Sequence, residues 1–271
     1  KHFHLEDGTY VAARYPYPVH EKTADGSFRD IDNRLSETAG GLFANADTRV
    51  KFAKKITGNE TLFTLHEKGT KLTLGLQGAK KGTAGRVENG SDAQDATTLQ
   101  KLLHLENLSS KILYPDILPG ADLEYVVGSG NIKENLLVKE RAEVYSYTFD
   151  LSLNGLTACL SEDGDILLTE EGTGNVRYTM PAPVVYDANS VYAPAALSSY
   201  TLTAKNGGKY ELTVTVSAAW MNSESRAFPV TVDPAIVGSG TGVLDTVVRS
   251  SAPDTSYENE PTLAVSSGER S

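Results

Sequence analysis

This sequence predicts an all-β fold: a large antiparallel β-sandwich of stacked sheets with one or two short helices. Three observations predict it. Short runs such as Leu123-Glu124-Tyr125-Val126-Val127 interleave apolar and polar side chains with period two, the pattern of a half-buried strand. Turn signals punctuate these runs at about the 8–12-residue spacing of stacked sheets, as from Gly58-Asn59 to Lys68-Gly69, from Pro119-Gly120 to Gly128-Ser129 and from Asn154-Gly155 to Asp163-Gly164. The 13 Tyr, 24 Gly and frequent Thr and Val favour strands over helices.

The first segment, Lys1–Asp30, is mixed. His2 and His4 share a face if extended, the geometry of two metal ligands, yet no third ligand stands near and no metal site is expected. Tyr15-Pro-Tyr-Pro reads as an edge segment, because proline cannot donate to a ladder. Val50–Phe52, Leu62–Leu65 and Lys71–Leu76 are short strands separated by hairpin turns at Gly58-Asn59 and Lys68-Gly69. Gly78–Gly90, rich in Gly and Lys, predicts a mobile loop. Asp92–Leu108 is the helix candidate, capped by Asp92 or Asp95 and spaced by Leu99, Leu102 and Leu103; a strand through Leu103 and Leu105 fits equally.

At the centre lies KILYPDILPGADLEYVVGSGNIKENLLVKE, Lys111–Glu140. Tyr114-Pro115 biases the backbone towards extension, Pro119-Gly120 makes a turn, and Gly128–Asn131 separates two alternating runs. Beyond it, Val144–Leu153, Leu156–Leu160 and Ile166–Leu168 read as strands, with Asn154-Gly155 a hairpin signal. Met180-Pro-Ala-Pro interrupts the pattern before Val184–Tyr186 resumes it. Tyr200–Ala204 and Tyr210–Val216 flank the turn Asn206-Gly207-Gly208. Ala218–Ala227 fits one helical turn around Trp220, and Phe228–Val232 is a closing strand. The domain plan is a β-sandwich over 1–234, a Gly/Ser linker over 235–244 and the opening of a second β module over 245–271. The polar ending of the chain in mid-pattern reads as a piece cut from a longer polypeptide.

Charge and cysteine bound the function. The net charge of −10 repels phosphates and anionic headgroups, so nucleic acid and membrane insertion are not expected. Cys159 is the only cysteine, which excludes an intrachain disulfide, and it reads as a small strand residue rather than a nucleophile. Asp116, Asp122, Glu124 and Glu134 are the carboxylate cluster from which glycoside hydrolysis could be built. Asp122 and Glu124 would share a strand face roughly 7 Å apart, within the separation of a glycosidase pair; a solvated acidic face explains them as well. Asp116 and Asp122, flanking the Pro-Gly turn, read as acceptors of backbone N–H groups. Lys133-Glu134-Asn135 suits buried polar contacts between hairpin and sheet and surface ion pairs equally. Tyr186, Tyr192, Tyr200 and Trp220 are the aromatics from which a glycan-binding face would be built. No catalytic, cofactor-binding or metal-binding residue is assigned, and no cofactor is expected.

The central Y-x-D-x-x-x-G-x-D-L-x-Y…I-K-E-N pattern resembles the N-terminal β-rich domain of secreted Gram-positive proteins of the RHS/YD-repeat, wall-associated type. Asp32-Asn33-Arg34-Leu35, Phe43-x-Asn45, Met180-Pro181-Ala182-Pro183 and Trp220-Met221-Asn222…Pro229-Val230-Thr231-Val232-Asp233-Pro234 agree in order and spacing. Asp245-Thr246-Val247-Val248…Tyr257 is similar to the start of a DNRLRE-type β-sandwich. The resemblance implies a non-catalytic structural or attachment domain of a secreted, cell-wall RHS-type polymorphic toxin or adhesin. Its implied partners are other domains of the same polypeptide, a YD-repeat shell, and a wall or surface glycan. The rival readings are a carbohydrate-binding module and a carbohydrate-active enzyme using Asp or Glu.

Overall fold

The computed structural model describes residues 2–4, 8, 10–12, 19–23, 25–58, 61–89 and 108–238. Two small hairpins come first, β1 (His2–His4) with β2 (Tyr10–Ala12), and β3 (His20–Lys22) with β4 (Phe28–Asp30). Five strands then meander antiparallel: β5 (Ser36–Glu37), β6 (Leu42–Ala44), β7 (Val50–Ala53), β8 (Phe63–Glu67) and β9 (Thr70–Leu76). Next come β10 (Arg86–Asn89), β11 (Ser110–Leu118), β12 (Ala121–Val127), β13 (Asn131–Val138) and β14 (Ser146–Asn154). They are followed by β15 (Leu156–Leu160), β16 (Ile166–Glu170), β17 (Val176–Met180) and β18 (Val184–Tyr186). A 3₁₀ turn at Ala195–Leu197 leads into β19 (Ser198–Ala204) and β20 (Lys209–Val216). The helical turn α1 (Ala218–Met221), β21 (Val230–Asp233) and β22 (Ala235–Gly238) complete the described chain.

These strands assort into an eight-stranded sheet, β19-β20-β14-β9-β8-β7-β6-β5, and a ten-stranded sheet, β10-β11-β12-β13-β22-β17-β16-β15 with β21 and β18 branching from β13. Every pairing is antiparallel, and the all-β sandwich expected from the sequence is what forms. Alternation explains it: β12 reads buried, half-buried, buried along its whole length, and β9 does the same with Leu72, Leu74 and Leu76 inward. The inner faces meet in a single core. At its centre Phe52 and Phe63 of the first sheet touch Tyr125 of the second, with ring centroids 5.2 and 5.5 Å from Tyr125. The Tyr114 hydroxyl donates to the Ala53 carbonyl at 2.6 Å, pinning one sheet to the other.

Several expectations change. Asn154-Gly155 is no hairpin turn: β14 lies between β9 and β20 in the first sheet, whereas β15 pairs with β16 in the second. Gly155, at φ +71°, carries the chain across from sheet to sheet. The loop expected over Gly78–Gly90 is fastened and ends in a strand. Lys80 N donates to Ile117 O and Gly82 N to Ile56 O, both at 2.7 Å, and β10 pairs with β11. The first four residues of the expected linker are β22, which joins β13 to β17. Apart from buried Leu108, the candidate helix lies outside the described residues, as do Tyr15-Pro-Tyr-Pro and the second module.

Candidate functional site

Asp122 and Glu124 share a face of β12, as strand geometry requires, and both are occupied. Asp122 accepts the Asp116 backbone N–H at 2.6 Å and pairs with Lys139 at 2.6 Å. Asp116 itself sits in a β11 bulge at φ +50°, where Lys139 also reaches its carboxylate and holds it below the usual range. Glu124 pairs with Lys111 at 3.2 Å and accepts from Asn135 Nδ2 at 3.0 Å. Lys139 meets both Asp116 and Asp122 and Lys111 meets Glu124, an arrangement that stabilises a sheet face.

The four aromatics are divided. The Tyr186 and Tyr192 rings meet at a tilt, centroids 5.4 Å apart, across an isolated bridge, with Tyr192 exposed. Tyr200 is buried on β19. Trp220 on α1 lies under the Arg226 guanidinium, 3.5 Å from its centroid, and Arg226 is fixed in turn by buried Asp187 at 2.9 Å. Asp187 also accepts the amides of Asn189, Val191 and Ala227. Burial pushes its carboxyl up, but these donors together hold it below the ordinary value.

Lys133-Glu134-Asn135 satisfies both of its open readings at once. Lys133 is exposed and pairs with Asp233 at 3.7 Å, while Glu134 and Asn135 turn inward. Burial pushes the Glu134 carboxyl up to about 8; the neighbouring Tyr125 hydroxyl opposes the shift and Asp233 adds to it. The phenol of Tyr200 is raised by the same burial and by Glu134 and Asp233. The sequence marked the segment but not the depth of Glu134, which follows from β13 lying between β12 and the β21–β22 corner.

A second polar site escaped the sequence altogether. A cavity of about 630 Å³ opens between the two sheets at the end where the β8–β9 turn faces the β12–β13 turn. From the first sheet come Arg49, His66, Glu67 and Lys68; from the second come Asn131, Arg177 and Tyr178; and His20 and Glu21 of β3 close the lining. Glu67 is the hub. It accepts from Tyr178 Oη at 3.3 Å, pairs with Arg177 at 3.1 Å and stands 3.9 Å from Arg49. Arg49 is 3.8 Å from Asp47, so both of its ion pairs are longer than a hydrogen bond. Among the described residues, the Lys68 and His66 side chains make no ion pair or hydrogen bond. No sequence motif could have flagged this cluster, since positions 20, 49, 66 and 177 meet only through the fold. Among the described residues no His, Cys, Asp and Glu group is arranged to hold a metal ion, and exposed Cys159 stands alone on β15.

The chain is similar to wall-associated proteins of Gram-positive bacteria. It is 29% identical over 265 residues to the tRNA nuclease WapA of Bacillus subtilis (strain 168), an alignment covering 95% of this chain and 11% of that protein. A tRNA3(Ser)-specific nuclease WapA of Bacillus spizizenii is 28% identical over the same length and share. A wall-associated protein of Geobacillus stearothermophilus is 25% identical over 194 residues, 70% of this chain and 71% of that protein. The chain thus spans 11% of the length of the nucleases it matches. No protein-family model and no solved structure matches it. The likeness supports a cell-wall-associated protein. It also corrects the expectation that the chain has no enzymatic role, because relatives aligned along 95% of it are named nucleases.

Proposed function

We propose that this chain is the β-structured, wall-associated body of a longer secreted polypeptide of the RHS/YD-repeat type, and that the whole polypeptide acts on tRNA. In this reading the sandwich is a rigid platform that holds the polypeptide at the cell wall as part of a polymorphic toxin or adhesin. Its partners are neighbouring domains of the same chain and a wall glycan. The observation that carries the reading is the alignment with a protein named wall-associated, which takes in 71% of that protein. The architecture agrees with it: one core spans both sheets, and the Trp220–Arg226–Asp187 knot and the Tyr114–Ala53 bond tie their ends. Among the described residues no helix is long and apolar enough to cross a membrane.

The test is sedimentation of the purified chain with isolated Gram-positive walls. Co-sedimentation that saturates with wall mass is expected; a chain left in the supernatant at every wall concentration overturns the reading. Incubating the same chain with tRNA reads directly whether this part of the polypeptide cleaves it.

A further inference from the structure

The cavity between the sheets has an uneven account of used and unused groups. Its carboxylates are engaged: Glu67 by Tyr178 and Arg177, Asp47 by the Arg49 backbone N–H at 2.9 Å, and Glu21 by Arg29 at 2.5 Å. Its unused capacity is on the donor side. Among the described residues the Arg49 guanidinium has only two pairs, both beyond hydrogen-bond length, and the Lys68 and His66 side chains have no polar partner. Arg49, His66 and Lys68 therefore line one concavity, and their side chains have donors to spare. Donors of this kind suit a tetrahedral oxyanion, whose oxygens can be met from several directions at once. The volume, about 630 Å³, is that of a small-ligand site.

We propose that this cavity is a binding site for a phosphodiester group, held by Arg49, His66 and Lys68, with Arg177 and Tyr178 fixing Glu67 so that the carboxylate does not capture the cations. The proposal deepens the wall-associated reading by naming a ligand class, yet it stands on the cavity alone. The net charge of −10 opposes a long polyanion at a distance, but salt screens it over roughly 8 Å, so a single diester unit inside the cavity senses chiefly the local donors. A phosphodiester has two sources in this context, a polyol-phosphate polymer of the wall and an RNA backbone, and the chemistry at the cavity is shared by both.

The test is titration of the purified chain with a short glycerol-phosphate oligomer and with a short RNA of equal phosphate number. A polygalacturonate oligomer and an uncharged oligosaccharide complete the four arms. Calorimetry gives the affinity, and imidazole NMR resonances, assigned with His66→Gln and His20→Gln, give the place. The expected result is binding by one or both phosphodiesters, displacement of the His66 signal, and affinity that falls as salt rises. Lys68→Asn should weaken it by roughly tenfold, the loss of one charge-assisted contact, and Lys68→Asn with Arg49→Gln by more. Lys68 lies in an exposed turn at φ +49°, a conformation asparagine accepts, so the single variant keeps the fold and its melting point confirms it. Binding by one phosphodiester alone assigns the source. Binding of only the polygalacturonate or the neutral sugar overturns the ligand class; no binding, or binding unchanged by the variants, overturns the site. A chain that sediments with walls but ignores phosphodiesters defeats this inference and leaves the wall reading standing; the reverse result defeats only the latter.

Discussion

Glu134 is where a single side chain most constrains the behaviour of the protein. It is 2% exposed, and burial lifts its carboxyl from 4.5 to about 8. A carboxyl with a raised folded value binds its proton more tightly when folded than when unfolded. Between about 4.5 and 8 the folded form keeps the proton that the unfolded form has released, so this group subtracts stability as pH rises through that window. The slope is about 1.4 kcal/mol per pH unit, flattening above the folded value. Glu134→Gln keeps the shape and removes the proton, so its melting temperature relative to the natural chain should climb from pH 5 to pH 8. A constant difference across that range would show that Glu134 is ionised in the fold. Asp187 works in the opposite direction. Its carboxyl is held low, so its stabilisation is complete at neutral pH and is lost as pH falls through the lowered value. Asp187→Asn should therefore lower the melting point at pH 7 and lose that deficit in acid.

The turns set the behaviour of individual elements. The β8–β9 hairpin closes through Lys68 at φ +49° and Gly69 at φ +82°, the left-handed pair that a two-residue turn between twisted strands needs. The β19–β20 hairpin offers a cleaner experiment, because Gly207 and Gly208 have nearly the same φ, +73° and +69°, but different surroundings. A Cβ on Gly207 meets nothing within 4 Å, while one on Gly208 would stand 2.6 Å from the Leu153 carbonyl oxygen. Gly207→Ala should cost about 1–2 kcal/mol from conformation alone; Gly208→Ala should cost that and a backbone displacement besides. Equal losses in chemical denaturation would remove the close approach as the reason for glycine. These elements also show what a linear reading reaches. Alternation in β9, β12 and β13 and the paired glycines after Asn206 are local properties, visible along the chain. Asn154-Gly155 misled because its residues satisfy a turn equally well whether the strands beside it pair or part. β10 was hidden because only Val87 in it is apolar; it is an edge strand with polar faces. Its far end is held by a side chain: Asn89 accepts the Leu35 amide at 2.8 Å and donates to the Leu35 carbonyl at 2.7 Å.

For the whole molecule the decisive strand is the one that composition disguised as a linker. Ala235-Ile236-Val237-Gly238 contains small residues and precedes a glycine-rich stretch, yet Ile236 is buried and the strand pairs on both edges. In the order of the second sheet, β22 alone joins the β10–β13 half to the β15–β17 half. The cavity of Arg49, His66 and Arg177 depends on the same junction, because Ile236 and Gly238 line it from one side while β17 brings Arg177. A chain ending at Pro234 should therefore differ from one ending at Gly238 by more than the four residues of β22. The β17 edge would be left with unpaired N–H and C=O groups, and Ile236 would leave a gap in the core. Hydrogen exchange should show β15, β16 and β17 losing protection as one unit while β7, β8, β9 and β14 keep theirs, and the thermal transition should fall and broaden. Full protection in β15–β17 after that truncation would mean that the two halves are held by core packing between sheets, with the strand order contributing little. The chain extended to Gly238 is the matched control, and phosphodiester binding measured on both reports whether the cavity survives the cut.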